Sequence, residues 1–112
     1  MNIGKVRKHA LSLPEVTEEP HFQYSSFRVR GKIFVTVPPD EEHIHVFVGD
    51  EVREQALALH SAFAEKLTWG SKVVGLRIAL AKAAPAVVGR LIGQAWENKA
   101  PKSLLKPRPI SR

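Results

Sequence analysis

The chain contains no cysteine and no long apolar run, and each absence excludes a class of protein or site. Without cysteine there can be no disulfide, no thiolate nucleophile and no cysteine-ligated zinc site. No stretch of about 18 apolar residues is present, which excludes a membrane-spanning helix. Residues 1–13 are interrupted by Lys5, Arg7, Lys8 and His9 and have no apolar core or small-residue cleavage site, unlike a signal peptide. We therefore expect a soluble, cytoplasmic protein.

Motifs that would indicate catalysis or metal binding are missing as well. The sequence has no P-loop, no Gly-x-Gly-x-x-Gly, no His-Glu-x-x-His, and no Gly-x-Ser-x-Gly around Ser25 or Ser26. His43 and His45 place two imidazoles on one strand face, but a zinc site needs a third or fourth ligand at fixed spacing. We therefore expect no catalytic residue, no metal site and no cofactor.

The basic charge of the chain is concentrated at its C-terminal end. The net charge is +6, from 17 lysines and arginines and 11 aspartates and glutamates. Residues 99–112 hold five of those cations and no acid, which leaves 12 cations against 11 acids, a balance of +1, in residues 1–98. The body is thus nearly neutral, and the tail can attract phosphates without sequence specificity. Such tails are also a common solubility feature.

Hydrophobic patterning predicts three helices and five strands in one domain that spans residues 1–100. Helical spacing marks 2–13, 51–61 and 85–99, and strand-like patterns mark 27–30, 33–37, 43–48, 66–69 and 73–80. Residues 15–20 are predicted to be an acidic loop. The order α-β(3)-α-β(2)-α predicts an α+β fold, with an antiparallel sheet and helices packed mainly on one face. Residues 101–112 form a basic, proline-containing tail that we expect to be irregular.

The face of the sheet that points away from the helices is the candidate functional surface. If the apolar residues of the early strands face the helices, their neighbours in the chain point outward. The residues expected on this outer face are Arg28, Arg30, Phe34, Thr36, His43, His45, Phe47 and Arg77. Arginines interleaved with rings suit nucleic acid, because guanidinium groups bind phosphates and rings stack on bases. The same face also suits a protein or an acidic ligand, or is an ordinary solvated surface with cross-strand ion pairs.

Six cations are predicted to contact nucleic acid. They are Arg28, Arg30, Lys32, Arg77, Lys99 and Lys102. Lys32 follows Gly31 at the tip of a predicted hairpin, from which it could approach a duplex. Trp69 and Trp96 are predicted to be buried or half-buried anchors, and the other interpretation of Trp69 is a pocket edge between sheet and helix.

Four segments, taken in order, resemble the MmcQ/YjbR family. They are LPEVTEEPHF at 13–22, SFRVRGKIF at 26–34, TWG at 68–70 and AWENKAPK at 95–102. The resemblance implies a bacterial protein with the same α-β(3)-α-β(2)-α order, in a fold similar to secretion chaperones and to the frataxin-like CyaY fold. It also implies DNA binding, with no established catalytic residue.

Two functions follow as expectations. The first is a non-catalytic, monomeric protein that binds DNA without sequence specificity through the basic sheet face and the tail. The second is a protein-interaction or chaperone-like module of unknown partner, which would present a contiguous apolar patch rather than an arginine-rich face. Because a fold does not by itself establish a function, the nature of the outer surface has to decide between them.

Overall fold

The structure, a computed structural model, describes residues 1–105 and has helices and strands of the α+β class, which confirms the predicted class. The elements in chain order are α1 Ile3–Leu11, β1 Val16–His21, β2 Tyr24–Val29, β3 Lys32–Val37, β4 His43–Val46, α2 Asp50–Leu59, β5 Ala64–Trp69, β6 Lys72–Ala79, α3 Pro85–Lys99 and α4 Lys102–Leu105. A single 3-10 turn, Leu80–Lys82, connects β6 to α3 among these described residues.

The three long helices begin where the sequence supplies suitable groups. The side chain of Asn2 accepts a hydrogen bond from the Lys5 amide at 2.9 Å and caps the N-terminus of α1. Asp50 and Glu51 lie in the first turn of α2, where carboxylates favour the positive end of the helix dipole. Pro85 occupies the first turn of α3, where a missing amide hydrogen costs nothing. All three helices agree with the predicted ones to within a few residues.

The six strands form one antiparallel sheet in the order β1-β2-β3-β4-β6-β5. The hairpins β1-β2, β2-β3 and β5-β6 are each closed by a two-residue turn, at 22–23, 30–31 and 70–71. Because β4 pairs with β6, the β5-β6 hairpin lies at the sheet edge opposite to β1. The strand directions place the β1-β2 turn and the β5-β6 turn at opposite ends of the strands, so the two turns occupy diagonally opposite corners of the sheet.

Most of the predicted acidic loop, residues 15–20, belongs to the edge strand β1, Val16–His21. Its two glutamates and Pro20 give it little of the β-branched, alternating character by which a strand is recognised in a sequence. Pro20 is tolerated because one side of an edge strand needs no partner. Pairing with β2 along the whole length of β1 stabilises the strand instead. The observed order therefore has four strands before α2, one more than the sequence predicted.

The helices pack on one face of the sheet and cover the hydrophobic core. α3 lies against β3 and β4, α2 against β5 and β6, and α1 against α3 and β1. Val35 and Val46 point into this core from the sheet, and Val88 and Ile92 meet it from α3. Trp96 is buried as predicted, and its indole Nε1 donates to the carbonyl of Pro14 at 3.0 Å. Within residues 1–105, no helix lies on the opposite face of the sheet.

A bulge in β3 overturns the predicted orientation of Phe34. Phe27 pairs with Val35 and Arg28 pairs with Ile33, so that Phe34 is the extra residue between them. The two-residue alternation therefore breaks at Phe34, which is fully buried rather than exposed on the outer face. The strand pattern in the sequence carries no signal for such a bulge.

The start of the predicted irregular tail is ordered. Lys102–Leu105 forms the short helix α4, and Leu104 packs against the core. Lys106, Arg108 and Arg112 lie outside the described residues, and the domain boundary at residue 100 stays a prediction. Within residues 1–105, no helix has the length and apolar character needed to cross a membrane.

Candidate functional site

A row of polar residues crosses all six strands on the open face of the sheet. Directly paired residues in antiparallel strands point to the same side, so each member of the row lies beside the next. In strand order the row is Glu19, Ser26, Thr36, His45, Arg77 and Glu65. Ser26 and Thr36 are buried although no helix of residues 1–105 covers this side; the Arg28 side chain contacts Ser26, and the His45 ring contacts Thr36. We call this set the polar row.

The predicted phosphate-binding arginines are engaged within the fold. Arg28 is on the open face, where its Nε donates to the Ser26 hydroxyl at 3.0 Å and a terminal nitrogen donates to the carbonyl of Pro20 at 3.2 Å. Only 22% of its side chain is exposed. Arg30 forms a two-pronged ion pair with Glu15 at 2.7 and 3.0 Å, and its hydrogen bond holds the pKa of Glu15 below the usual value.

The other predicted cations do not gather on a single surface. Arg77 belongs to the polar row, 3.7 Å from Glu65, in a looser pair. Lys32 is exposed beside the β2-β3 turn, Lys99 ends α3, and Lys102 begins α4. The structure thus brings Arg28 and Arg77 onto one face and leaves the remaining four cations at other places. Their contact with nucleic acid stays a prediction.

A cleft of about 420 Å³ runs diagonally over the open face between the corners formed by the β1-β2 and β5-β6 turns. Its lining residues come from strands and turns and none comes from a helix. They are His21, Phe22, Tyr24, Thr36, His45, Phe47, Leu67, Thr68, Trp69 and Val74. We call this the ring-lined cleft, because six of the ten residues carry rings. Strand twist makes one diagonal of a sheet face concave, which accounts for its course.

The two ends of the ring-lined cleft carry the most exposed large apolar side chains of the described residues. Phe22, in the β1-β2 turn, is 93% exposed, and Trp69, the last residue of β5, is 80% exposed. The prediction of a buried or half-buried Trp69 was wrong, and the pocket edge on which it lies faces solvent rather than a helix. Together with the apolar lining between them, the two rings form a candidate interaction surface.

The backbone at Phe22 is unusual for a bulky residue. Phe22 is the first residue of its turn and has φ of 58°, in the left-handed region that favours glycine. The equivalent first position in the β5-β6 turn is Gly70, with φ of 63°. Gln23 and Ser71, the second residues of the two turns, both have ordinary negative φ. The two turns therefore share a positive φ at the first position, where one has an aromatic residue and the other has glycine.

The floor of the cleft is polar but carries no full charge. The Thr36 hydroxyl lies 3.2 Å from Nδ1 of His45, and the rings of Tyr24 and His45 are 5.9 Å apart. Burial lowers the pKa of His45, and the positive charges of Arg77 and His43 act in the same direction. His45 is therefore a neutral hydrogen-bonding group at neutral pH.

Two backbone features shape the cleft. Gly75 lies so close to β4 that an added Cβ would be 2.3 Å from the carbonyl oxygen of Val46. Beside it Val74 is the extra residue of a second bulge, and its side chain enters the cleft wall. On the other side, the Asn98 amide of α3 donates to the carbonyl of Phe47 at 2.8 Å and fixes the end of β4.

Metal binding has little support in this part of the chain. Across residues 1–105, no group of three or more histidine and carboxylate side chains is placed to hold a metal ion. Asp40 and His43 form a pair at 3.1 Å, and the cleft itself contains no carboxylate. Sequence reasoning placed Thr36, His45 and Phe47 on the correct face, gave a pocket edge as its second interpretation of Trp69, and missed Phe22. The available signal was that Phe22 lies in a two-residue hairpin turn and Trp69 lies next to one.

Comparisons with known proteins bear on the family and the fold. A family model described as YjbR matches residues 11–98, more than half of the chain. Among solved structures, the crystal structure of the Deinococcus radiodurans protein DR2400, with the family-model domain DUF419, is similar at a TM-score of 0.75. That likeness covers 98% of this chain and 92% of the other, at 15% sequence identity, and so shows a shared fold alone. Among curated proteins there is no match.

Proposed function

The chain belongs to the YjbR family, and from that premise and the ring-lined cleft we propose that it is a non-catalytic DNA-binding protein. The observation that carries the proposal is the set of six rings on the open sheet face, in a chain whose residues 99–112 hold five cations and no acid. Rings on a sheet surface stack on bases, and a net positive charge favours a polyanionic partner. The proposal places the protein in the cytoplasm and takes a single chain as the binding unit.

Phosphate contacts would come mainly from cations other than the two arginines of β2 and its turn. To reach a phosphate, Arg28 and Arg30 would have to exchange existing hydrogen bonds, which offsets most of the gain. Lys32, Lys99 and Lys102, together with the more loosely paired Arg77, do not face this cost to the same degree. We therefore expect the DNA affinity of residues 1–98 to depend weakly on salt, with a separate contribution from the basic tail. Each neutralised phosphate should lower log K by about 0.7 to 0.9 per tenfold increase in salt concentration.

Protein interaction is the second candidate, and the apolar character of the cleft favours it. Leu67 and Val74 join the rings to form a continuous apolar lining, which is the kind of patch that protein-binding surfaces present. Rings outnumber these two aliphatic side chains three to one. Because rings suit protein interfaces as well as stacked bases, DNA ranks first through the sequence resemblance and the basic residues at 99–112.

Fluorescence anisotropy with labelled single-stranded and duplex DNA at low and high salt tests the proposal. We expect binding at low salt that weakens in the double variant Phe22→Ala/Trp69→Ala. The matched control is Leu59→Ala, which removes another exposed apolar side chain, 66% exposed, from α2 on the helical side. Absence of binding to either DNA at low salt would end the proposal.

A truncated chain of residues 1–105 separates the tail from the sheet face. This boundary keeps Leu104, which packs against the core, and removes three tail cations. If the truncation abolishes binding while the double ring variant has no effect, the sheet face is not the DNA-binding surface. Retained binding in the truncated chain, together with loss in the ring variant, supports the cleft.

A further inference from the structure

We infer that the ring-lined cleft binds several consecutive unpaired bases, so that the protein prefers single-stranded DNA to duplex. This rests on the proposed DNA-binding function and specifies the form of DNA that the cleft accepts. Phe22 and Trp69 stack on bases near the two ends of the bound strand. The neutral floor between them contacts base edges.

The strained exposure of Phe22 is the first support. The fold gains little from this ring, whose only aromatic neighbour among the described residues is His21, edge-on at 4.9 Å. A residue with a side chain pays a backbone cost at this φ, and Gly70 shows that the same turn forms without one. Glu15, Arg30 and Glu41 have a similar φ, but of the four only Phe22 leaves a large apolar side chain in water. Strained backbone tends to cluster at functional sites. The turn therefore presents a ring outward for a ligand.

The geometry of the cleft is the second support. Phe22 and Trp69 belong to hairpins on opposite edges of the six-stranded sheet, and both line the same cleft. Rings at the two ends of an elongated cleft can stack on different bases of one extended strand. The diagonal course of the cleft over the Thr36–His45 pair gives that strand a continuous path.

Charge is the third support, because it separates the place of bases from the place of phosphates. Among the described residues, no lysine, arginine, aspartate or glutamate lines the cleft, which suits neutral bases. The charges lie at its border: Lys72 is exposed directly opposite Trp69, and Arg77 lies beside His45 with Glu65 at 3.7 Å as its partner. In a duplex the base faces are stacked on one another and cannot reach these rings, whereas in a single strand they can. The inference therefore specifies unpaired bases.

The test compares three DNA ligands of equal length: oligothymidylate, a duplex, and an abasic strand with the same phosphates. We expect oligothymidylate to bind tightest and to quench tryptophan fluorescence, since Trp69 is exposed whereas Trp96 is 8% exposed. Phe22→Ala and Trp69→Ala should each weaken oligothymidylate binding by roughly 5- to 150-fold. Trp69→Phe keeps a stacking ring and should retain most of the affinity while losing the quenching. Thermal unfolding verifies that the variants are folded.

A double-variant cycle tests the path of the strand. If the two rings stack on different bases, the fold-losses of Phe22→Ala and Trp69→Ala should multiply in the double variant. A double variant no weaker than either single one would overturn the separate-base arrangement. Equal affinity for oligothymidylate and the abasic strand would overturn the inference but leave DNA binding through phosphates intact. If no DNA binds and an aromatic peptide quenches Trp69, the inference and the proposed DNA function both fail.

Discussion

Replacing Phe22 with glycine should leave the protein more stable than replacing it with alanine, although glycine is usually the more destabilising residue. A side-chain-bearing residue with the φ of Phe22, 58°, pays roughly 1–2 kcal/mol for the left-handed backbone. Alanine keeps that cost and glycine removes it, while glycine loses about 0.4–1 kcal/mol through the greater freedom of the unfolded chain. The glycine variant should therefore exceed the alanine variant by about 1 kcal/mol.

The phenyl ring itself contributes little to this comparison. It is 93% exposed, and both variants lose its edge-on contact with His21 equally. Urea denaturation measures the difference as a shift in midpoint at unchanged slope, and thermal unfolding should separate the two variants by about 4 °C. The matched control is Gly70→Ala, where φ is 63° and no atom lies within 4 Å of an added Cβ. It should lower stability by about 1 kcal/mol through the backbone alone.

The strain argument fails if Phe22→Gly is no more stable than Phe22→Ala while Gly70→Ala behaves as expected. In that case the Phe22 turn is relaxed, and its ring is no longer evidence for a ligand. If the stabilities follow the prediction, affinity for single-stranded DNA should fall in both Phe22 variants alike. That separation of stability from binding identifies a residue retained for function rather than for folding.

Three further outcomes are expected. Gly75→Ala should cost about 2–3 kcal/mol in thermal unfolding, since its Cβ would meet the Val46 carbonyl at 2.3 Å; a loss near zero would show that the strands can separate freely. The hydrogen bond from Arg7 lowers the pKa of Glu18 in the folded protein. The ionised Glu18 carboxylate therefore contributes stability that is complete above the unfolded pKa of 4.5 and is lost as the pH falls through the folded pKa. In acid titrations of stability, Glu18→Gln should therefore be less sensitive than wild type, and equal sensitivity contradicts this. Burial lowers the pKa of His45 from 6.5, so below pH 6.5 the unfolded chain binds a proton more readily than the folded protein does. Wild type should therefore lose more stability than His45→Gln as the pH falls below 6.5, and unfolding midpoints across that range measure the difference.

Local sequence pattern determined the helices and most of the strands. α3 was predictable because Pro85 marks its start and apolar residues recur at helical spacing up to Trp96. β4 was predictable because its alternation survives intact, with Ile44 and Val46 buried and His43 and His45 on the other face. β1 was not predictable in this way, because its strand conformation depends on pairing with β2 rather than on its own residues.

The positions of the charged residues were also clear from the sequence, but the sequence did not show which of them are free to bind a ligand. Arg28 and Arg30 were correctly placed outside the hydrophobic core, yet the sequence could not show that Ser26 and Glu15 would bind them. Ser26 lies two residues before Arg28 on the same face of β2, whereas Glu15 is brought to Arg30 by the pairing of β1 with β2. The sequence left cross-strand ion pairs open as one alternative for this face, and only the fold identifies the groups that bind each guanidinium.

What the sequence by itself determined is the set of helices, the central strands and the separation of a basic tail from a nearly neutral body, because these depend on neighbouring residues. Only the tertiary structure decided that Phe22 and Trp69 belong to one cleft. The two rings are brought to opposite corners of one face by the pairing of β4 with β6 and by the twist of the sheet. Both causes are long-range contacts, and no local pattern of residues encodes them.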